Sequence, residues 1–177
     1  PHTYHVTATY SGGDSPASNS VSVNIVDNYD IPFAESFDSA DLSLNFWSGD
    51  IDRYKWKILT FPFPQGLSGY GATYQNDPYA GVPSYSDVLI SKPLDATTLT
   101  QVYLAYALKF TAADISNQND KLSIEVFDGT NWVLVKEYLP NIMNYGYTSE
   151  LIDISDKIAG KLFQVRFHAQ GTNQADV

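Results

Sequence analysis

The chain contains no cysteine. That excludes disulfide staples, thiolate zinc sites and thiol nucleophiles. Positive charge is scarce: ten Lys and Arg stand against twenty Asp and Glu, a net charge of −10. Phosphate backbones and anionic lipid surfaces both need a basic face, so nucleic acid is excluded as a partner and docking on anionic membrane is not expected. No apolar run approaches the roughly 18 residues of a spanning helix, so no membrane insertion is expected. No stretch of a dozen residues carries the helical apolar period. Histidine is limited to His2, His5 and His168, and no Ser–His–acid order or His-x-x-x-His spacing predicts catalysis. A glycosidase-type carboxylate pair depends on spatial separation and leaves no spacing to read. The expectation is therefore that this stretch is not an enzyme. The chain has neither an initiator Met nor a signal-peptide pattern, which predicts a fragment or processed piece of a larger multidomain protein.

What is present is enough to fold. The 177 residues are 44% hydrophobic and 17% charged, with 13 Tyr among the aromatics. That length supports one good core, or one core and a small neighbour. The charges are unevenly placed. Asp14, Asp27, Asp30, Glu35, Asp38, Asp41, Asp50 and Asp52 fall within residues 1–52, where there is no Lys or Arg. Carboxylates without countercharge suit a hard divalent cation. They equally suit a solvated acidic face that keeps a secreted protein soluble.

Alternation of apolar and polar residues predicts strands throughout. Thr3 to Tyr10 places Tyr4, Val6 and Ala8 on one face, and Ser20 to Val26 places Val21, Val23 and Ile25 likewise. The turn cluster Ser11 to Pro16 joins them into a hairpin, too small to be stable alone. Asp27 to Asp30 reads as a linker, and a second unit begins near Ile31. Trp56, Ile58 and Phe61 mark a short strand broken by Pro62 and Pro64. Residues 65–86 are Gly- and Pro-rich and read as one long loop, the kind that carries function. Asp87 to Lys92 forms a strand closed by Pro93. Val102 to Phe110 alternates, with Tyr103, Ala105 and Ala107 on a second face that would be buried too. Leu122, Ile124 and Val126 pair through the Asp128 to Asn131 turn with Trp132 to Tyr138. Phe163, Val165, Phe167 and Ala169 point inward, with Gln164, Arg166 and His168 outward. Ser155 to Ile158 reads as one helical turn capped by Ser155. Many short strands with Gly and Pro turns predict an all-β sandwich.

Two resemblances follow from these residues. Tyr4-x-Val6-x-Ala8, a Gly-Ser turn and Ser20-Val21-Ser22-Val23 resemble the last two strands of a fibronectin type III repeat, over residues 1–27. In the second unit, residues 31–177, the motifs Glu35-Ser36-Phe37-Asp38, Tyr54-x-Trp56, Asp87 to Asp95, Leu122 to Val126 with Asp128-Gly129-x-x-Trp132, and Phe163 to Ala169 occur in an order that resembles, over residues 33–177, the cleaved-adhesin domains of bacterial surface proteases. These belong to the wider MAM-like jelly rolls of Bacteroidetes secreted and surface proteins. The resemblance implies a two-sheet jelly-roll sandwich, structural calcium and an adhesive role in a secreted or cell-surface protein that binds host or extracellular-matrix protein. The family usually closes on a strand reading roughly Trp-x-Ile-Asp-Asp-Ile. Here the chain stops at Gln174-Ala175-Asp176-Val177, so the last strand is expected to be missing and the calcium site either to be incomplete or to borrow loop oxygens.

The candidate metal ligands are Glu35, Asp38, Asp50, Asp52 and Asp87. Glu35 and Asp38 converge only if the chain bends between them. Asp50 and Asp52 share a face if extended, and either could instead serve a turn. Asp87 opens a buried strand, where an unpaired carboxylate is costly and needs a metal or an amide partner. The candidate ligand-binding residues are Tyr70, Tyr74, Tyr79 and Tyr85, with Trp47 and Tyr54 nearby, while Trp56 and Trp132 are read as core. Exposed rings would stack on sugars, so a carbohydrate-binding accessory module of a secreted hydrolase or protease is the alternative function. Packing is the other role such rings fill.

Overall fold

A computed structural model describes residues 2–4, 6–23, 29–39, 41–43, 46–52, 55–61, 69–74, 84–110, 120–139 and 145–172. The elements are β1 (His2–Tyr4), β2 (Thr9–Tyr10), β3 (Gly13–Asp14), β4 (Val21–Val23), β5 (Tyr29–Asp30), β6 (Ser48–Gly49), β7 (Trp56–Phe61), β8 (Gly69–Tyr74) and β9 (Ser84–Ile90). They continue with β10 (Leu94–Asp95), β11 (Tyr103–Phe110), β12 (Lys121–Phe127), β13 (Trp132–Tyr138), β14 (Tyr145–Asp153), the single helical turn α1 (Ser155–Ile158) and β15 (Leu162–Thr172). The fold is all-β, and its sheets pack as a sandwich.

One layer is a seven-stranded sheet. Its middle is β15, which pairs antiparallel with β12 on one side and with β9 on the other. β13 extends the sheet beyond β12, and β6 extends it beyond β9. The start of β15 pairs with β10, which pairs parallel with β5. The opposing layer is built from the antiparallel pairs β11–β14 and β7–β8. Between the layers lies one core, with Leu89, Ile124, Val126, Phe163 and Val165 from the large sheet and Trp56 from the facing pair. Phe167 sits at the centre of that contact. Its ring meets Tyr106 edge-on at 6.1 Å, Trp56 at 6.3 Å and Trp47 at 6.2 Å. The layers are also tied by a polar chain, in which the Tyr106 and Tyr138 hydroxyls bond at 2.8 Å and Tyr138 donates to Glu150 at 3.2 Å.

The N-terminal hairpin keeps to itself among the described residues: β1 pairs with β4, β2 with β3, and neither joins the large sheet. At Val6 and Ala8 half of the pairing is backbone, with Ser18 N–H donating to Val6 O at 2.9 Å and Ser15 N–H to Ala8 O at 2.8 Å, and hydroxyls serve the other half. The Ala8 N–H donates to Ser15 Oγ at 2.9 Å and the Val6 N–H to Ser18 Oγ at 3.0 Å. Among the described side chains on the apolar side of this hairpin, Val6 is 73% exposed.

Several expectations are corrected. Residues 65–86 are not one loop. They contain β8, whose alternation Tyr70-x-Ala72-x-Tyr74 is masked by Gly69 and Gly71, and they include the start of β9. Residues 62–68 and 75–83, with Tyr79, lie outside the description. Tyr29 and Asp30 are a strand rather than linker. The outer face of β11 is open: Tyr103 is 52% exposed, and Ala105 and Ala107 are exposed too. Ser155 is not the helix cap. That position is Ile154, and the Asp153 carboxylate takes the Ser155 N–H at 2.9 Å instead. Trp132 is only partly buried: it pairs with Phe127 on the outward side of β12, where its cover includes the Arg166 guanidinium at 4.3 Å. Trp47, grouped with the exposed rings, is a core residue.

Candidate functional site

The cluster that gathers most of the predicted site residues lies at Asp87. Gly49 ends β6 against β9, and its φ of 122° suits glycine alone. A Cβ there would stand 2.2 Å from the Val88 carbonyl oxygen. This close approach lets the Asp50 N–H donate to Val88 O at 2.8 Å, while Asp50 Oδ2 accepts the Val88 N–H at 2.9 Å. Asp50 is thereby fixed beside Asp87, the neighbour of Val88. Asp87 alternates inward with Leu89 and is buried.

A single cation joins the two acids. Lys55 Nζ is 2.8 Å from Asp87 Oδ1 and 3.4 Å from Asp50 Oδ1. The Asp87 hydrogen bond holds the ammonium above its ordinary pKa, against a smaller opposing effect of burial. The second Asp87 oxygen accepts from the Tyr74 hydroxyl at 2.8 Å. The costly buried carboxylate is thus satisfied by an ammonium and a phenol.

Tyr74 and Tyr85 meet at the same place. Their rings stack with centroids 5.5 Å apart and planes 28° from parallel. Burial, then the bond to Asp87, pushes the Tyr74 phenol well up; burial, then the Asp120 carboxylate it bonds, does the same for Tyr85. Both therefore stay neutral donors across the physiological range. Gly171 makes room for this pairing, since a Cβ there would collide with the Tyr85 hydroxyl and Asp120. Tyr70, four residues before Tyr74 on β8, is 38% exposed.

The remaining predicted ligands lie apart. The chain bends at Phe37, whose φ is 60°. The bend turns Glu35 inward, where its carboxylate accepts the Phe37 N–H at 2.6 Å and the Trp47 indole N–H at 3.1 Å. Asp38 is exposed. Asp52 is exposed as well and serves a turn through its backbone, its carbonyl accepting the Lys55 N–H at 3.0 Å. So two of the five candidate ligands, Asp50 and Asp87, converge, and two of the four candidate tyrosines join them. Among the described residues, no three carboxylate or imidazole side chains form a metal-holding group. The Asp50–Asp87 pair fits one cation, and Lys55 supplies it. A calcium ion here would have to displace that ammonium and take further oxygens from elsewhere.

Reading residues in order missed two things. Lys55 was missed because cation sites were sought only among acids. Ser86 and Glu125 were missed because only cross-strand register brings them to His168. Ser86 Oγ lies 2.9 Å from His168 Nε2, and Glu125 Oε2 lies 3.2 Å from His168 Nδ1.

If calcium enters the Asp50–Asp87 pair, it stabilises the fold by mass action. With the affinity of about 10⁻⁴–10⁻³ M usual for extracellular modules, 1 mM calcium adds about 0.4–1.4 kcal/mol. Melting temperature then rises by about 1–5 °C, and more in Lys55→Met, where the competing ammonium is gone. Superimposable melting curves with calcium and with chelator, in both proteins, would remove the ion.

Models of known protein families find no match in this chain, and neither does a search of the curated proteins.

Proposed function

We propose that this chain is an adhesion or binding module of a secreted or cell-surface bacterial protein, with host or matrix protein as its ligand. In this reading residues 31–177 are a jelly roll of the cleaved-adhesin type, and calcium is a structural ion at Asp50 and Asp87.

One observation carries the binding reading: the outer face of the β11–β14 pair. Tyr103 is 52% and Leu151 71% exposed, and register puts Ala105 directly opposite Leu151 and Ala107 opposite Ser149. Small residues flatten the sheet between two large apolar ones, and Asp153 opposite Tyr103 supplies a polar edge. Protein interfaces combine such an aromatic and aliphatic centre with a polar rim. Glycan sites need open rings, whereas Tyr74 and Tyr85 stack on each other with both hydroxyls committed to carboxylates.

The test places the protein on purified collagen, fibrinogen and fibronectin, and in parallel on a glycan array. Saturable binding to a matrix protein, with a blank array, is the expected result. A glycan hit abolished by Tyr70→Ala or Tyr74→Ala, with no matrix protein bound, would establish the carbohydrate-binding alternative instead.

A further inference from the structure

The outward face of the large sheet carries a polar constellation unrelated to the Asp87 cluster, which lies on the inward face. β15 sits between β12 and β9, so His168 has Ser123 opposite it on one side and Val88 on the other. Diagonal neighbours complete its surroundings. Ser86 Oγ is 2.9 Å from Nε2, and Glu125 Oε2 is 3.2 Å from Nδ1. Arg166 Nε donates to the same Glu125 oxygen at 2.6 Å.

The proton positions follow from the partners. Burial raises the Glu125 carboxyl, but the Arg166 hydrogen bond and charge outweigh it, and the net pKa is lowered. Glu125 is therefore ionised and can only accept. Nδ1 of His168 must carry the proton, which leaves the Nε2 lone pair facing Ser86, whose hydroxyl donates to it. Burial, then the Arg166 charge, keeps the imidazole below its ordinary 6.5 and so neutral at pH 7. A hydroxyl bonded to a neutral imidazole that is itself oriented by a carboxylate is the arrangement that activates a serine nucleophile.

We propose that Ser86, His168 and Glu125 act as nucleophile, base and positioning acid, and that Ser86 accepts acyl groups from small activated esters. The Ser86 oxygen attacks the ester carbonyl carbon while its proton passes to His168 Nε2. The carbon–oxygen bond to the leaving group breaks, and His168 returns the proton to that alkoxide or phenoxide. Water, deprotonated in turn by His168, attacks the acyl carbon; the acyl–Ser86 oxygen bond breaks, His168 returns the proton to that oxygen, and the carboxylic acid is released. Register places Gln170 directly opposite Ser86, which puts an amide on the strand beside the nucleophile; the Lys121 ammonium, one strand further on, is held by Glu137. Ser86 is exposed while His168 and Glu125 are largely covered, which matches small reactive esters that reach the hydroxyl from its open side.

The test uses diisopropyl fluorophosphate, whose phosphorus bonds to an activated serine oxygen with loss of HF, and p-nitrophenyl acetate for turnover. Wild type should be labelled at Ser86, located by peptide mass spectrometry. Ser86→Ala and His168→Gln should lower the labelling rate at least about 100-fold, while Ser84→Ala, one step along the same face, leaves it unchanged. Circular dichroism checks that each variant is folded. Charged groups facing the imidazole are Arg166 on its own strand, Lys121 and Glu125 on β12, and Glu137, which holds Lys121 at 3.1 Å, on β13; β9 presents only Ser86 and Val88. The rate should rise with pH through a midpoint below 6.5 and then level off. Glu125→Gln should slow labelling and move that midpoint lower still, because the carboxylate favours the protonated ring. Labelling of Ser86 no faster than that of Ser84, or a pH profile without this midpoint, would overturn the proposal. The wild-type site and profile decide the matter even if a variant fails to fold.

Discussion

Ile124→Ala is expected to destabilise the fold by about 2–5 kcal/mol. Ile124 is fully buried on β12, a strand paired on both sides, and its register partner Phe167 is where the two layers meet. Truncation removes apolar burial and opens a cavity that the paired backbones on either side cannot collapse to fill. At about 2–4 °C per kcal/mol for a chain of this length, the melting temperature should fall by about 5–20 °C. Leu134→Ala is the control. Leu134 lies on the neighbouring strand but is 51% exposed, so its loss should cost no more than about 0.5 kcal/mol. Equal effects at the two positions would mean that the sandwich core is not where the register places it.

Asp87→Ala should be the more informative loss, at about 1–3 kcal/mol. It strands the half-buried Tyr74 hydroxyl, which donates to Asp87 at 2.8 Å, and removes the closer of the two acids that Lys55 bridges. Lys55 is 41% exposed at its side chain and recovers hydration, so most of the cost belongs to the phenol. Two further variants separate the contributions. Asp87→Asn keeps an acceptor for Tyr74 and should lose less than Asp87→Ala. Tyr74→Phe removes the donor, so adding Asp87→Ala to it should cost less than Asp87→Ala costs the wild type. Urea unfolding of wild type, the three single variants and the double variant measures this. Strict additivity would show that the hydroxyl and the carboxylate do not support one another.

The strands with clean alternation were legible before any coordinates. Leu122-x-Ile124-x-Val126 and Phe163-x-Val165-x-Phe167 carry their inward residues at every second position, and β12 and β15 follow. The Asp128-Gly129 turn was equally plain. Asp128 Oδ1 takes the Thr130 and Asn131 N–H groups, and Gly129 has a φ of 97°. β8 and β14 were hidden for a common reason: Gly69, Gly71 and Gly146 look like punctuation, and β14 shows outward polar residues such as Ser149. Two-residue strands such as β5 and β6 have no period to detect; only their partners define them.

The site was legible only in part. A buried Asp87 was readable as needing a partner, and Asp50 as a neighbour in an acidic loop. That Lys55 would be that partner depends on a turn in which the Lys55 N–H bonds to Asp52 O and the Trp56 N–H to Asp50 O, and nothing in the spacing of charges encodes it. The Ser86–His168 contact spans 82 positions. Cross-strand diagonals of this kind are set by sheet register, which a single sequence does not display.

The most direct measurement of the binding claim is the affinity of Leu151→Asp for the matrix protein that the wild type holds. Among the described side chains of the β11–β14 face, Leu151 is the most exposed large one, so a charge there leaves folding nearly unchanged while breaking an apolar contact. The account predicts an unaltered melting curve with affinity weakened at least about 30-fold, equivalent to about 2 kcal/mol. Full affinity retained by Leu151→Asp would contradict it and place binding elsewhere on the molecule.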